Sequence, residues 1–235
     1  MKTSNKILYG SLGGLFLVCV IFLLVLKAQL GSSQDPVNAS ARYEAMGSRE
    51  IDMSGLTAID VQGNWQVELI LAPGPVATVK GAQDLLETLS VHRRGEFLSL
   101  RMPKQKNDKR KLTLSATLPE LNRLHAQGVA EIRFKGFFSE HLSIRMQGVS
   151  KIVGRKGRID ALDLRSEGVS QINLSDLPIR QADLDCEGVF NIDLSMAGGE
   201  LSGRVKGAGK VRYSGKVSRE TILREGPCKV EYAKE

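Results

Sequence analysis

A chain of 235 residues with 42% hydrophobic and 25% charged content can build one sizeable core, and that apolar content with charge of both signs excludes a disordered polymer. Three cysteines exclude a disulfide-dense mini-domain, and the formal net charge of +7 is modest for this length. Glycine is in excess: 24 residues, with no Gly-X-Y period, which excludes collagen and leaves open what the glycines do.

The first predicted element is a membrane anchor at residues 1–27. Ile7 to Leu26 is an apolar run without one charge, long enough as a helix to cross about 30 Å of hydrocarbon. An uncleaved signal anchor fits better than a cleaved signal, because the run ends in LVLKAQL and offers no good cleavage site. Cys19 lacks the small residue expected before a lipidated cysteine. Lys2 and Lys6 before the span against Lys27 after it favour an N-terminus inside the cell. The expected location is therefore the bacterial cytoplasmic (inner) membrane, single-pass, with the C-terminal domain exported. Residues 28–50 are small and polar and read as a flexible tether, with Asn38 in a short glycosylation-like triplet. Without the three anchor lysines, 30 basic residues face 26 acidic ones, which gives no case for nucleic acid.

Residues 51–120 read as a cap and the first strands of a domain that runs to 235. LTAIDVQGNWQVELIL sets Gly63 four residues before Val67. Val76 to Val79 is a strand candidate, Ala82 to Leu89 one or two helical turns, and Phe97 to Met102 and Lys111 to Leu118 are strands around a polar loop.

From residue 121 the sequence repeats. Gly128, Gly148, Gly168, Gly188, Gly207 and Gly226 follow one another at 20, 20, 20, 19 and 19 residues, and Gly63 fits the same pattern. Four residues after each stand Ile132, Ile152, Ile172, Ile192, Val211 and Val230; one residue after stand Val129, Val149, Val169, Val189, Ala208 and Pro227. Within a unit the apolar period is two: Leu162 and Leu164 alternate with Asp163 and Arg165. The glycines then mark corners where the chain needs positive φ or has no room for Cβ. The predicted fold is all-β: a parallel β-helix/β-solenoid with rungs of about twenty residues and three short strands each, preceded by a single N-terminal transmembrane helix. A β-sandwich is the weaker alternative. The open C-terminal rung needs a cover, from the tail Ala233-Lys234-Glu235 or from a second copy.

The segment LTAIDVQGNWQVELILAPG, then LTLSATLPELNRLHAQGVAEI, then G-[VA]-x-x-[IV] corners every twenty residues resemble the putative auto-transporter adhesin, head GIN domain family of bacteria, over about residues 55–232. Family corners are usually Gly-Ser-Gly or Gly-Ala-Gly; here only Gly207-Ala208-Gly209 keeps that form, and Ala130, Ser150, Ser170 and Phe190 replace the second glycine. The resemblance implies a right-handed parallel β-helix-like body and an adhesion role, with no catalytic residues.

The residues themselves offer little chemistry. His92, His125 and His141 have no metal-ligand spacing, no hydrolase motif occurs, and no cofactor is implied. Cys186 and Cys228 sit at different offsets two rungs apart and read as free thiols. Glu167 and Glu187 occupy the position before successive corners, with Arg145, Arg165 and Arg204 beside them, so this column is the candidate binding face, or the site of a polysaccharide-active enzyme. Sugar-binding faces favour exposed Trp, and Trp65 reads as lying outside the main stack. Lys104, Lys106, Lys109, Arg110 and Lys111 form the densest basic run and a candidate anionic-surface loop. The function read from all this is a membrane-anchored exported module of a bacterial envelope, non-catalytic, for binding, adhesion or structure. Its expected partners are the membrane, through the N-terminal helix, and an envelope polysaccharide or protein. The alternatives are a polysaccharide-active β-helix enzyme and an accessory subunit of a membrane stress or signalling complex. The oligomeric state stays open.

Overall fold

The structure is a computed structural model, and it describes residues 45–103 and 109–233. The expected span at residues 7–26, most of the tether, and Lys104 and Lys106 lie outside the described residues. Met1–Glu44 and Ala45–Glu235 form separate units, and the second is described below.

Among the described residues ten strands and one helix follow in chain order. They are β1 (Met46–Asp52), β2 (Ala58–Leu71), β3 (Val76–Ala82), α1 (Gln83–Thr88), β4 (Ser90–Arg94), β5 (Phe97–Arg101), β6 (Leu112–Leu118), β7 (Arg123–Ala197), β8 (Glu200–Lys216), β9 (Arg219–Glu225) and β10 (Cys228–Tyr232). All ten strands join one sheet, whose main path runs β1-β3-β6-β2-β7-β8-β10; β5 pairs β2 and β4, and β9 pairs β8.

The predicted fold is corrected on this point. The sheet is not a purely parallel β-helix of three short strands per rung: it mixes parallel ladders with the antiparallel pairs β1–β3, β3–β6 and β4–β5, and Arg123–Ala197 is 75 residues of unbroken extended backbone whose repeats lie on one another. The antiparallel part has a local cause. Between residues 71 and 97 the chain carries the turn residues Pro73-Gly74-Pro75 and Arg94-Gly95, with Gly74 at φ 92° and Gly95 at φ 58°, and these fold strands back where the long repeat lets the chain run on. The predicted transmembrane helix lies outside the described residues; among those described no helix is long and apolar enough to cross a membrane, and α1 has six residues. Strand β1 begins inside the stretch read as a tether, because its backbone pairs with β3 from Met46 onward.

The repeat positions stack in register. Gly63 pairs with Gly128 between β2 and β7, Gly188 with Gly207 between β7 and β8, and within β7 Gly148, Gly168 and Gly188 each lie on the carbonyl of the corner glycine one repeat before. The apolar offsets therefore form columns through the core. One runs Val67, Ile132, Ile152, Ile172, Ile192, Val211, and all six are buried. Each such side chain contributes on the order of 2 kcal/mol of burial. Trp65, read as outside the stack, is part of it: it pairs with Ala130, is buried, and its Nε1 donates to the Gln62 carbonyl at 3.0 Å.

Candidate functional site

The face beside the glycine column is built by the alternation of a strand. The residue after each glycine points out, the next points in and the third points out. Val129, Val149, Val169 and Val189 are accordingly 49%, 52%, 49% and 54% exposed, a ladder of four branched apolar side chains on successive repeats. Behind them Trp65 and Phe190 are large and buried, whereas Ala130, Ser150 and Ser170 between them are small. A groove of about 490 Å³ follows this ladder, with Lys151 and Gln171 on its far bank. Ser150 Oγ is buried there without a hydrogen-bond partner.

A second groove, of about 670 Å³, shares Glu131 and Lys151 with the first. Leu69, Ile70, Phe134 and Val153 supply its apolar lining, and Arg133, Lys135, Lys151, Arg155 and Lys156 its charge. Both of its carboxylates are spent on Arg133: Glu131 at 2.7 Å and Glu68 at 3.5 Å. Among the described residues no carboxylate pairs with Lys135, Lys151, Arg155 or Lys156. Lys156 also holds φ 57°, the one positive φ outside glycine among the described residues, a conformation costing an L-residue about 1–2 kcal/mol. Strain of that kind gathers at functional sites.

The candidate face on the other side of the glycines is differently disposed. Glu167 accepts from Gln147 Nε2 at 3.3 Å, while Glu187 pairs with Lys206 at 3.0 Å, so the two carboxylates are drawn to opposite neighbours. Arg165 turns back to Asp163 at 3.3 Å, Arg204 reaches Asp185 at 3.4 Å, and Arg145 is exposed. The Arg204–Asp185 and Lys206–Glu187 pairs are cross-strand contacts of the sort that balance charge on a solvated sheet, and Arg165–Asp163 is a contact along one strand. The basic loop is similarly engaged. Arg110 makes a two-toothed contact with Asp84 at 3.1 and 2.9 Å, Lys111 donates to Gln66 at 2.8 Å, and the Lys109 carbonyl accepts from Asn64.

A buried polar cluster escaped the sequence reading. Asp60 on β2 is 3% exposed; its Oδ2 accepts from Ser99 Oγ at 2.9 Å and Gln62 Nε2 at 3.2 Å, and its Oδ1 faces His125 Nδ1 at 2.9 Å. Burial pushes the Asp60 carboxyl up, but hydrogen bonds from His125 and Ser99, the His125 charge and the Gln62 amide outweigh it, and its pKa lies below the ordinary value. The three residues do not form a nucleophilic relay. In such a relay the imidazole lies between hydroxyl and carboxylate; here the carboxylate lies between the other two, so His125 cannot take the Ser99 proton. The cluster instead ties β2, β5 and β7 together. A signal for it existed: Asp60 and His125 both stand three residues before a corner glycine, and the Gly63–Gly128 pairing sets them side by side.

Both described cysteines are free. Burial, followed by the nearby Asp185 charge, pushes the Cys186 thiol up to about 12. Cys228 Sγ lies 3.7 Å from the Val205 carbonyl. Among the described residues no cluster of His, Cys, Asp or Glu could hold a metal ion.

The sheet has relatives of known structure. A putative adhesin from Bacteroides fragilis NCTC 9343 is similar at a TM-score of 0.61 and 16% identity, covering 81% of this chain and 98% of its own. A putative lipid binding protein from Parabacteroides distasonis ATCC 8503 is similar at 0.50 and 15%, covering 80% and 97%. No curated protein matches the sequence. The family model described as putative auto-transporter adhesin, head GIN domain matches residues 55–217, the span that holds the glycine column from Gly63 to Gly207 and both grooves, and the chain belongs to that family.

Proposed function

We propose that the chain is a non-catalytic binding module of the bacterial envelope, working outside the cytoplasm, and that its ligand is an anionic envelope polysaccharide. The observation that carries this reading is the second groove: Lys135, Lys151, Arg155 and Lys156 without carboxylate partners, around an apolar lining, at the foot of the valine ladder. Unpaired cations along a rigid sheet attract an extended polyanion, while half-exposed valines give a flexible chain an apolar strip to lie on. Membership in a family of adhesins supports the non-catalytic part of the reading. Glu167 and Glu187 each engage a different neighbour, Gln147 and Lys206, which favours a binding face over a glycosidase pair.

The test is binding of the chain to immobilised polygalacturonate and to neutral galactan, with and without Lys135→Glu plus Arg155→Glu. The reading requires binding to the anionic polymer only, weakening steeply with salt and falling at least about tenfold in the double variant. Equal retention on galactan, or unchanged binding by the variant, overturns it.

A further inference from the structure

The C-terminal edge of the sheet has a charge order that fits a copy of itself. Strand β9, with the sequence RETILRE, pairs in parallel with β8 along one side, and among the described residues its other side has no strand partner. An open edge of this kind recruits another strand unless something covers or repels it. The described tail does not cover it, because β10 continues along β8 and the Ala233 amide donates to the Tyr213 carbonyl.

The register shows what the edge presents. Glu220 lies opposite Leu201, Ile222 opposite Gly203 and Arg224 opposite Val205. Leu201 and Val205 are fully buried, so two apolar columns of the core end on a carboxylate and a guanidinium. On the other face of the strand stand Arg219, Glu225 and Leu223, the last 69% exposed. Laid antiparallel on a second copy about Ile222, the strand sets Arg219 against the second copy's Glu225 and Glu220 against its Arg224. By symmetry each contact occurs twice. Thr221 then meets Leu223 and Ile222 meets Ile222. Directly opposite residues of an antiparallel pair share a face and interact, so every charge on the strand meets its opposite. Among the described residues none of these four charges has an ion-pair partner within its own chain, although Glu220 accepts from Tyr213.

The opposite edge lacks this property. Strand β1 reads MGSREID, and the same operation about its midpoint sets Arg49 against Arg49 and no charge against its opposite. On β10, Glu231 already lies 3.6 Å from Lys210 of its own chain.

We propose that two copies of the chain associate through β9, antiparallel about a two-fold axis at Ile222, giving one sheet continuous across both. A closed two-fold contact uses up the edge and stops at two copies. The experiment is sedimentation velocity of the full-length chain in mild detergent over a micromolar dilution series, the detergent keeping the apolar residues 7–26 from driving association of their own. Wild type is expected to pass from monomer to dimer. Arg219→Glu sets like charges against each other twice and is expected to weaken the dimer at least about tenfold, and Arg219→Glu with Glu225→Arg to restore it. Lys229→Glu on β10 is expected to leave it unchanged. Circular dichroism of each variant separates lost association from lost folding, and because the double exchange restores the pairing, a folding defect cannot imitate the pattern. A monomeric wild type, association that survives Arg219→Glu, failure of the folded double exchange to restore it, or loss on Lys229→Glu overturns the proposal.

Discussion

Gly168 stacks on Gly148 so closely that a β-carbon on Gly168 would run into the Gly148 carbonyl oxygen. Gly168 also has φ +113°, a conformation that side chains rarely adopt. Two separate physical reasons therefore exclude alanine. At Gly198 only the second holds, since φ is +104° but nothing lies within 4 Å of the added carbon. Urea unfolding of the two alanine variants is expected to show a loss of at least about 3 kcal/mol for Gly168→Ala and about 1–2 kcal/mol for Gly198→Ala. Equal losses would mean that the stacking contact contributes nothing beyond backbone strain.

Ser150 gives the opposite sign. Its Oγ is buried with no partner, and the same offset one repeat earlier holds Ala130. Removing an unsatisfied hydroxyl recovers its desolvation cost, so Ser150→Ala is expected to raise stability by about 1 kcal/mol. A lower urea midpoint would show that the hydroxyl finds a partner in solution.

Asp60 makes stability depend on acid. Its folded pKa lies below the unfolded value, so its ionised form stabilises the fold fully above the unfolded value. That contribution is lost as pH falls through the folded pKa. Wild-type stability is expected to drop more steeply than that of Asp60→Asn between about pH 5 and pH 2, while at pH 7 the variant is the less stable of the two. Parallel pH profiles would remove Asp60 from the acid response.

Cys186 is expected to be inert. With a thiol pKa of about 12, roughly one molecule in ten thousand carries the thiolate at pH 8. Native-state titration with a disulfide reagent should leave Cys186 unmodified until denaturant is added, as peptide mapping would reveal. Rapid native labelling at Cys186 would contradict its burial.

The repeat was legible because its signals are local and redundant: a glycine, an apolar residue four positions on, and strict alternation between. Leu162, Leu164, Ile172 and Leu174 are buried and Arg165, Glu167 and Asn173 exposed, as that alternation requires. The strands Phe97–Arg101 and Leu112–Leu118 and the short helix also fall where the pattern put them, within a residue or two. What escaped depends on contacts distant in sequence. Strand β1 carries no apolar alternation and exists because β3 offers it an edge. The antiparallel pairings follow from turns whose partners nothing local names. For Glu167 and Glu187 the spacing gave the column but not the partners, Gln147 and Lys206, which come from the outer side of each. The basic groove was missed because only two repeats supply its cations: Lys135 and Arg155 share the offset seven residues after a corner, where the next repeats carry Ser175 and Ser195.

The glycine column also sets the grain in which this protein can change length. Corners stay stacked while the chain between them varies: units of 19 and 20 residues both bring their glycines into line, and Gly128 rests on Gly63 although 65 residues separate them. Duplicating residues 168–187 would insert one further rise of about 4.8 Å and one further valine, leaving both ends of the sheet as they are. Relatives are then expected to vary in length between corners, by single residues or by whole inserted segments, and not at the stacked glycines themselves.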